Sequence, residues 1–176
     1  MLLSCGSEQT NDKNEKYYYD LKGFVDNQIV YLDEKKPMVY KTTMLNGKKE
    51  IGKSTNIDWK KELELFIQAD INKPAYRQSY DVVRKDSSEY EYTLRPNMNL
   101  PVRYLKIVTD KSINQPLYVK ALLKSENKIY DSEKSIELIC TKANNLWELK
   151  SFSVHGYQKL IFMDKKLFQI ESKIGL

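Results

Sequence analysis

Two glutamates in the segment SEYEYTL have the spacing of a catalytic carboxylate pair. Glu89 and Glu91 are two residues apart, and on a strand they would share one face at ~6.6 Å, from a rise of ~3.3 Å per residue. Paired carboxylates at about this distance hydrolyse glycosidic bonds. Because the glutamates alternate with Tyr90 and Tyr92, the segment is also typical of a half-buried strand with a solvated face, and we favour that interpretation.

The single histidine, His155, is the other candidate for acid–base chemistry. It lies in SVHGYQ without a Ser or Cys motif beside it, whereas a nucleophilic site needs a base that a third group orients. The glycines are scattered and form no phosphate-binding loop, and no Cys and His cluster has the spacing of metal ligands. The sequence therefore favours a protein that is not an enzyme and has no cofactor. The less favoured alternative is a hydrolase that uses Glu89, Glu91 or His155.

All four arginines fall between residues 77 and 103. Arginine binds carboxylate and phosphate in a bidentate manner, so these residues could line an anion site, although neighbouring acids such as Asp81 and Asp86 offer simple pairing. Tyrosine is abundant, with 13 residues against five Phe, and its apolar ring with a polar end suits clefts and interfaces, although strands also favour it. The candidate ligand contacts are Arg77, Arg84, Arg95, Arg103, Tyr90 and Tyr92.

The net charge of +5 comes from lysines spread along the chain. This distribution lacks the concentrated basic stripe of a nucleic-acid-binding protein, so we expect no nucleic-acid partner. Lysine is densest between Lys35 and Lys61, where eight occur. This stretch could contact anionic lipid headgroups, and a solvated surface is the favoured alternative.

The chain begins MLLSCG, which matches the lipobox of bacterial lipoproteins around Cys5. A lipobox has Leu three residues before the Cys and small residues on either side, here Leu2, Ser4 and Gly6. The Cys thiol would accept diacylglycerol, and two or more acyl chains anchor a protein stably. Since only four residues precede Cys5, fewer than a signal peptide needs, we expect a truncated signal at 1–5 and a true start upstream.

Residues 6–16 are polar and predict a flexible tether, and residues 17–176 have the length of a single domain. Cys140 would have no partner if Cys5 is acylated. Cys140 falls on the same face of a predicted strand as Ile136 and Leu138, which indicates a buried thiol. A disulfide between Cys5 and Cys140 is the alternative.

Two helices are predicted in the first half of the chain. Apolar residues from Leu21 to Leu32 form one helical stripe and predict a helix over 19–35, which Pro37 ends. A second stripe follows Asp58, a plausible N-cap, and predicts a helix over 58–70.

The remaining pattern predicts strands. Asn46-Gly47 between two β-prone runs indicates a hairpin with strands at 38–45 and 48–55. From residue 75 the pattern has period two, in six or seven short runs separated by turn residues such as Gly156. The predicted fold is α+β: two N-terminal helices and a β-hairpin packed on a curved antiparallel β-meander of six to seven strands, open or closed into a barrel.

These segments together resemble an uncharacterised lipoprotein family of the Bacteroidota. The resemblance rests on LLSCG, the helix segment YYYDLKGFVDNQIVYLDEKKP, the Asn-Gly hairpin, DWKKELELFIQADINKPAYRQSY and VHGYQKLIF. It implies a lipid-anchored protein of the cell envelope, in the inner or outer membrane of a Gram-negative bacterium, and it assigns no catalytic residue.

Two functional hypotheses follow from the sequence and the resemblance. The first is a lipid-anchored, non-catalytic interaction or assembly module whose partners are the membrane and envelope proteins. The alternative is a lipid-anchored carrier that holds an apolar or amphiphilic ligand between the helices and the sheet.

Overall fold

The structure is a computed structural model that describes residues 17–84, 86–143 and 146–175, with Leu146 described by its backbone alone. The predicted anchor at Cys5 and the predicted tether at 6–16 lie outside the described residues.

The described residues form nine strands and three α-helices, joined by turns and loops. The helices are α1 (Leu21–Lys35), α2 (Trp59–Glu62) and α3 (Glu64–Gln68), and a 3₁₀ turn follows at Pro74–Tyr76. The strands are β1 (Met38–Leu45), β2 (Lys48–Ser54), β3 (Tyr80–Arg84), β4 (Glu89–Leu94), β5 (Val102–Thr109), β6 (Pro116–Glu126), β7 (Tyr130–Ala143), β8 (Leu146–Leu160) and β9 (Lys166–Gly175).

All nine strands belong to one antiparallel sheet in the order β2-β1-β9-β8-β7-β6-β5-β4-β3. The predicted meander corresponds to the consecutive strands β4 to β9, and β3 adds one more strand at its edge. The hairpin does not pack on this sheet as predicted; it extends the sheet, because β1 pairs with β9 along its whole length. The sheet ends in β2 and β3, which do not pair with each other, so the closed barrel is wrong.

The strand boundaries differ from the prediction at two places. The predicted break at Gly156 is wrong, because β8 continues through it and Gly156 pairs with Lys134 on β7 and Phe168 on β9. The residues that follow Gly156 therefore complete β8 up to Leu160, and 161–163 lie in the turn before β9. Strand β3 was not predicted, because four of its five residues are exposed and its pattern lacks alternation.

Helix α1 has well-defined ends. The Asp20 carboxylate accepts a hydrogen bond from the Gly23 N–H at 3.1 Å, which satisfies one of the free donors of the first turn. A Cβ at position 23 would lie 2.3 Å from that carboxylate, so glycine leaves room for the cap. Lys36 ends the helix with a left-handed backbone, and its N–H donates to the Leu32 carbonyl.

The second predicted helix is two helices rather than one. α2 and α3 are separated by Leu63, whose φ of −99° and ψ of 7° depart from helical values. Trp59, Leu63 and Phe66 are all buried, so the apolar spacing continues across the break. Because the spacing is preserved, periodicity predicts a continuous helix here.

The helices cover one face of the sheet, which we call the covered face, and leave the other as the open face. Contact is shown by the Phe66 and Phe152 rings, whose centroids are 6.2 Å apart, and by the ion pair of Lys41 with Glu62 at 2.7 Å. The core between helices and sheet is filled by side chains that are at most 2% exposed. They include Leu21, Leu32, Trp59, Leu63, Phe66, Leu105, Ile107, Ile136 and Leu138.

Candidate functional site: a tyrosine-lined cleft

A cleft of about 580 Å³ opens between the start of α1 and the β3 side of the sheet. It is bounded by the segment before α1, the first turns of α1, strands β3 and β4, and the β5–β6 turn. Its lining is mostly aromatic and amide side chains. The lining residues are Tyr17, Tyr18, Tyr19, Asp20, Gly23, Phe24, Asn27, Val82, Arg84, Tyr90, Tyr92, Asn114 and Gln115.

Four tyrosines form a connected aromatic wall in this cleft. Tyr90 and Tyr92 are two residues apart on β4, with ring planes 19° apart and centroids 6.5 Å apart. Tyr19 packs on Tyr90 at 5.4 Å, and Tyr18 meets Tyr92 edge-to-face at 5.4 Å. Such ring pairs stabilise one another beyond their buried area, so the wall is set before any ligand binds.

Arg84 lies against the outer ring of this wall. Its guanidinium carbon is 4.7 Å from the centroid of the Tyr90 ring, and Nη2 donates to the Tyr90 hydroxyl at 3.1 Å. The same hydroxyl donates to Oδ1 of Asn114 at 3.2 Å. A cation over an aromatic face is attracted by the ring's electron density, so Arg84 places a positive charge at the cleft.

Asn114 joins the β5–β6 turn to the cleft. Its backbone φ of 54° is left-handed, a conformation that asparagine tolerates better than most residues. In this position its carbonyl accepts from the Tyr19 hydroxyl at 2.8 Å. The turn therefore fixes both Tyr19 and Tyr90 from outside the sheet.

The hydroxyls of Tyr18, Tyr19 and Tyr92 act as neutral hydrogen-bonding groups at physiological pH. Burial raises the pKa of Tyr92 to about 12, partly opposed by the hydrogen bond from the backbone N–H of Tyr19. Burial is also the main reason that the pKa values of Tyr18 and Tyr19 are raised. Since an ordinary tyrosine titrates near ~10, these three rings keep their protons.

The acid in the cleft, Asp20, already caps α1 through its contact with Gly23. The cleft thus combines flat aromatic faces, amide groups at Asn27, Asn114 and Gln115, and the Arg84 cation. Its groups can stack on a ring and form hydrogen bonds with a polar ligand.

The other arginines of the sequence analysis lie outside the lining of this cleft. Arg77 lies over the Tyr17 ring at 4.0 Å. Arg95 pairs with Asp81 at 2.9 Å, as the pairing alternative predicted. Arg103 donates to Oδ1 of Asn99 at 2.7 Å. The structure therefore brings together Arg84, Tyr90 and Tyr92 and distributes Arg77, Arg95 and Arg103 around them.

The paired glutamates lie on the open face, while Tyr92 on the same strand is 2% exposed on the covered face. Glu89 forms an ion pair with Lys106 at 2.7 Å, and Glu91 accepts from the Tyr104 hydroxyl at 3.1 Å. Both carboxylates are occupied by neighbours on β5, as expected for a solvated strand face with cross-strand pairs.

His155 and Cys140 differ in exposure to solvent. His155 is exposed on β8, between Ser135 and Gln169 of the neighbouring strands. Cys140 is a free, buried thiol, and burial raises its pKa to about 12. The prediction of a buried Cys140 on one face with Ile136 and Leu138 is confirmed. Across 17–84, 86–143 and 146–175, no three acids, cysteines or histidines group as metal ligands.

Sequence reasoning missed half of the cleft. Tyr17, Tyr18 and Tyr19 precede α1 as an aromatic triplet followed by the capping Asp20. That triplet was the available signal, because three rings directly before a helix cap have no place on the helix stripe. Asn114 had no comparable signal, since its role depends on the turn conformation.

Comparisons with models of protein families, with curated proteins and with solved structures found no match to this chain. Of the helices that the structure describes, none is long and apolar enough to cross a membrane. Membership of the Bacteroidota lipoprotein family stays a prediction from the sequence.

Proposed function

We propose that this protein is a non-catalytic binding module of the cell envelope, anchored by acylation of Cys5. The anchor is supported by the lipobox residues Leu2, Ser4 and Gly6 and by the polar composition of 6–16. Such a segment would hold the domain near the membrane while letting it reach a partner. The tyrosine-lined cleft is its binding site.

The observation that carries this proposal is the aromatic wall with Arg84 and amide groups at its edge. The partly exposed rings of Tyr19 and Tyr90 can stack on the apolar side of a sugar ring, and the buried Tyr92 ring supports Tyr90 from within the sheet. The amides of Asn27, Asn114 and Gln115 suit the hydroxyl groups of the sugar. A concave site with aromatic walls and a few polar groups is typical of small-ligand binding. We infer a saccharide, in particular an acidic one that Arg84 would neutralise.

The filled core favours this module over the carrier alternative. An apolar ligand held between helices and sheet would need the space that Trp59, Leu63 and Phe66 occupy. The open volume lies instead in the cleft, whose surface carries hydroxyl, amide and guanidinium groups. A polar ligand fits that surface better than an acyl chain does.

Binding is tested with the full chain carrying Cys5→Ser on an array of neutral and acidic glycans. We expect binding to acidic glycans that Tyr90→Ala reduces by about tenfold or more, the usual cost of removing an aromatic contact at a binding site. Tyr40→Ala is the matched control, because Tyr40 is 54% exposed on β1 and lies outside the lining of the cleft. Binding that both variants retain equally, or none at all, overturns the saccharide assignment.

The anchor is tested separately, by intact-mass spectrometry of the protein from the membrane fraction of the native cell. We expect cleavage before Cys5 and a mass increase equal to two or three acyl chains. An unmodified soluble chain would rule out the lipoprotein assignment and leave the cleft proposal standing.

A further inference from the structure

One corner of the sheet carries a cluster of exposed apolar side chains that the cleft does not use. Phe162, in the turn between β8 and β9, is 93% exposed, and Ile129 beside it is 62% exposed. We call this cluster the apolar tip. Its members are Ile129, Leu160, Ile161, Phe162, Met163 and Leu167, each at least 44% exposed.

Backbone hydrogen bonds hold the apolar tip together. The Ile161 N–H donates to the Ile129 carbonyl at 3.1 Å, and the Met163 N–H donates to the Leu160 carbonyl at 3.0 Å. Six of the fifteen exposed large apolar side chains of the described residues therefore lie in this one place. Clustered exposure of this kind marks an interaction surface, whereas single exposed apolar residues are ordinary.

The β1–β2 hairpin lies next to the tip and extends it. The Asn46 N–H donates to the Leu167 carbonyl, and the Leu167 N–H donates to Oδ1 of Asn46, both at 2.9 Å. Leu45, which precedes this turn, is 50% exposed. Lys48 and Lys49 follow it on β2, and both are exposed.

Lysines surround the apolar tip. Four lysines, named at the end of this paragraph, lie within or next to the turns of the tip. One of them, Lys165, lies over the Tyr157 ring at 3.5 Å. Five acids lie in the same region. Asp131 accepts from the Tyr157 hydroxyl at 3.1 Å, Glu126 pairs with Lys124 at 2.9 Å, and Glu133 lies opposite Tyr157 on β7. The other two are Asp164 in the turn and Glu50 beside Lys49. With Lys48 and Lys49 of the hairpin, cations exceed acids at this corner. The four lysines are Lys128, Lys159, Lys165 and Lys166.

We propose that the apolar tip is a membrane-docking element that inserts into the interface of a bilayer containing anionic lipid. Phe162 and its apolar neighbours would enter the boundary between headgroups and acyl chains, where such side chains gain from burial. The surrounding lysines would remain among the anionic headgroups, each adding to the attraction. The eight lysines between Lys35 and Lys61 include two that the fold brings to this corner.

The charge around the tip favours a membrane over a second copy of this chain. In a symmetric dimer the same patch meets itself, so lysines of one copy would face lysines of the other. At an anionic surface the same lysines are attracted to the headgroups instead of repelling one another. The occupant that matches both the apolar turn and its cationic border is therefore an anionic bilayer.

The tip does not depend on acylation of Cys5, and it would complement it. Two or three acyl chains on Cys5 would already hold the protein at the membrane, so the tip would add a second point of contact rather than the attachment itself. Eleven residues lie between Cys5 and Tyr17, a length that spans at most ~40 Å when extended. A docked tip would thus fix the orientation of a domain that its anchor alone leaves free to rotate.

Co-sedimentation with vesicles tests the proposal, using the full chain with Cys5→Ser so that no lipid anchor contributes. We expect binding to vesicles of phosphatidylglycerol and phosphatidylethanolamine, and much weaker binding to phosphatidylcholine alone. Phe162→Ser should weaken binding by about tenfold or more, the change expected when one buried aromatic side chain is lost. Val30→Ser is the matched control, because Val30 is 60% exposed on α1.

A second variant separates loss of docking from loss of folding. Phe162→Trp should keep vesicle binding, and its fluorescence should shift to the blue and be quenched by brominated lipid when anionic vesicles are added. The proposal is overturned if the full chain with Cys5→Ser and the native Phe162 does not bind anionic vesicles, or if the fluorescence of Phe162→Trp does not change. A dimer in light scattering that Phe162→Ser abolishes also overturns it, since it would assign the tip to a second copy.

Discussion

The side-chain amide of Gln28 in α1 accepts a hydrogen bond from the backbone N–H of Leu149 in β8 at 2.9 Å. Its Nε2 also donates to the carbonyl of Trp147 at 3.1 Å. Strand β9 pairs with β8 only from Ser151 onward, so Leu149 and Trp147 lie beyond that ladder. Gln28 takes the place of the missing strand and joins the helix to the sheet.

Replacing Gln28 should therefore destabilise the domain strongly. In Gln28→Ala both backbone groups of β8 lose their partner, and each unsatisfied buried group costs about 1–3 kcal/mol. We expect the free energy of unfolding to fall by about 2–4 kcal/mol in urea titrations followed by circular dichroism. Asn27→Ala, at the exposed neighbouring position, should change it by less than ~0.5 kcal/mol. Equal small losses in both variants would contradict this role of Gln28.

Gly156 should tolerate no larger side chain. A Cβ there would lie 2.2 Å from the carbonyl oxygen of Glu133 and 3.0 Å from Cα of Lys134, so strands β7 and β8 would have to separate. We expect Gly156→Ala to lower the free energy of unfolding by about 1–3 kcal/mol, the usual cost of overpacking. Gly52→Ala is the control, because a Cβ at that position has no atom within 4 Å. A thermal midpoint that Gly156→Ala leaves unchanged would refute the close strand contact.

Cys140 should be unreactive in the folded protein. Burial raises its pKa from 9.0 to about 12, so its thiolate fraction at neutral pH is about a thousandfold lower than usual, and the thiolate is the reactive form. In the Cys5→Ser chain, Cys140 is the only thiol. We expect it to react with Ellman's reagent only after unfolding in urea. Rapid labelling without denaturant would show that the site opens.

The domain should lose stability in alkaline solution. The pKa of Tyr31 is raised to about 12, first by its hydrogen bond to Glu148 and then by burial, and burial raises that of Tyr104 to about 12. An unfolded tyrosine titrates near ~10. The unfolded chain therefore loses these protons first as the pH rises, so the stability they contribute is complete below pH ~10 and is lost toward pH 12.

Urea midpoints measured from neutral to strongly alkaline pH test this dependence. We expect the midpoint to fall above pH ~10, and to fall less steeply in Tyr31→Phe, which removes one of the responsible groups. Tyr40→Phe, at an exposed ring on β1, should follow the unsubstituted chain. A flat profile through the alkaline range would be inconsistent with the raised pKa values.

Local sequence signals determined much of the secondary structure. The stripe from Leu21 to Leu32 and the stop at Pro37 place α1 within two residues of its observed start, and Asn46-Gly47 places the hairpin strands within one residue. These signals act between residues a few positions apart, through side-chain periodicity and turn geometry. Because these signals are local, they predicted a continuous helix through Leu63 and a strand break at Gly156. At both positions the backbone conformation depends on contacts with residues that are distant in the sequence.

Within the cleft, the sequence identified Tyr90, Tyr92 and Arg84 as candidate contacts but not their partners. Tyr19 and Asn114 are 95 residues apart, and no periodic pattern relates two positions at such a separation. Their meeting depends on the packing of Tyr19 against Tyr90 and Tyr92 of β4 and on the left-handed turn at Asn114.

What the sequence determined by itself was helix α1, the β1–β2 hairpin, the period-two strands that follow β3, and the buried Cys140. The lipobox at Cys5 stays a prediction. Only the tertiary structure decided that β1 pairs with β9, that the sheet stays open, and that the hairpin turn at Asn46 meets Leu167 beside the turn of Phe162. The physical reason is that strand pairing and helix docking bury surface shared between distant segments. The free energy of that burial depends on the whole set of contacts, which no single stretch of residues contains.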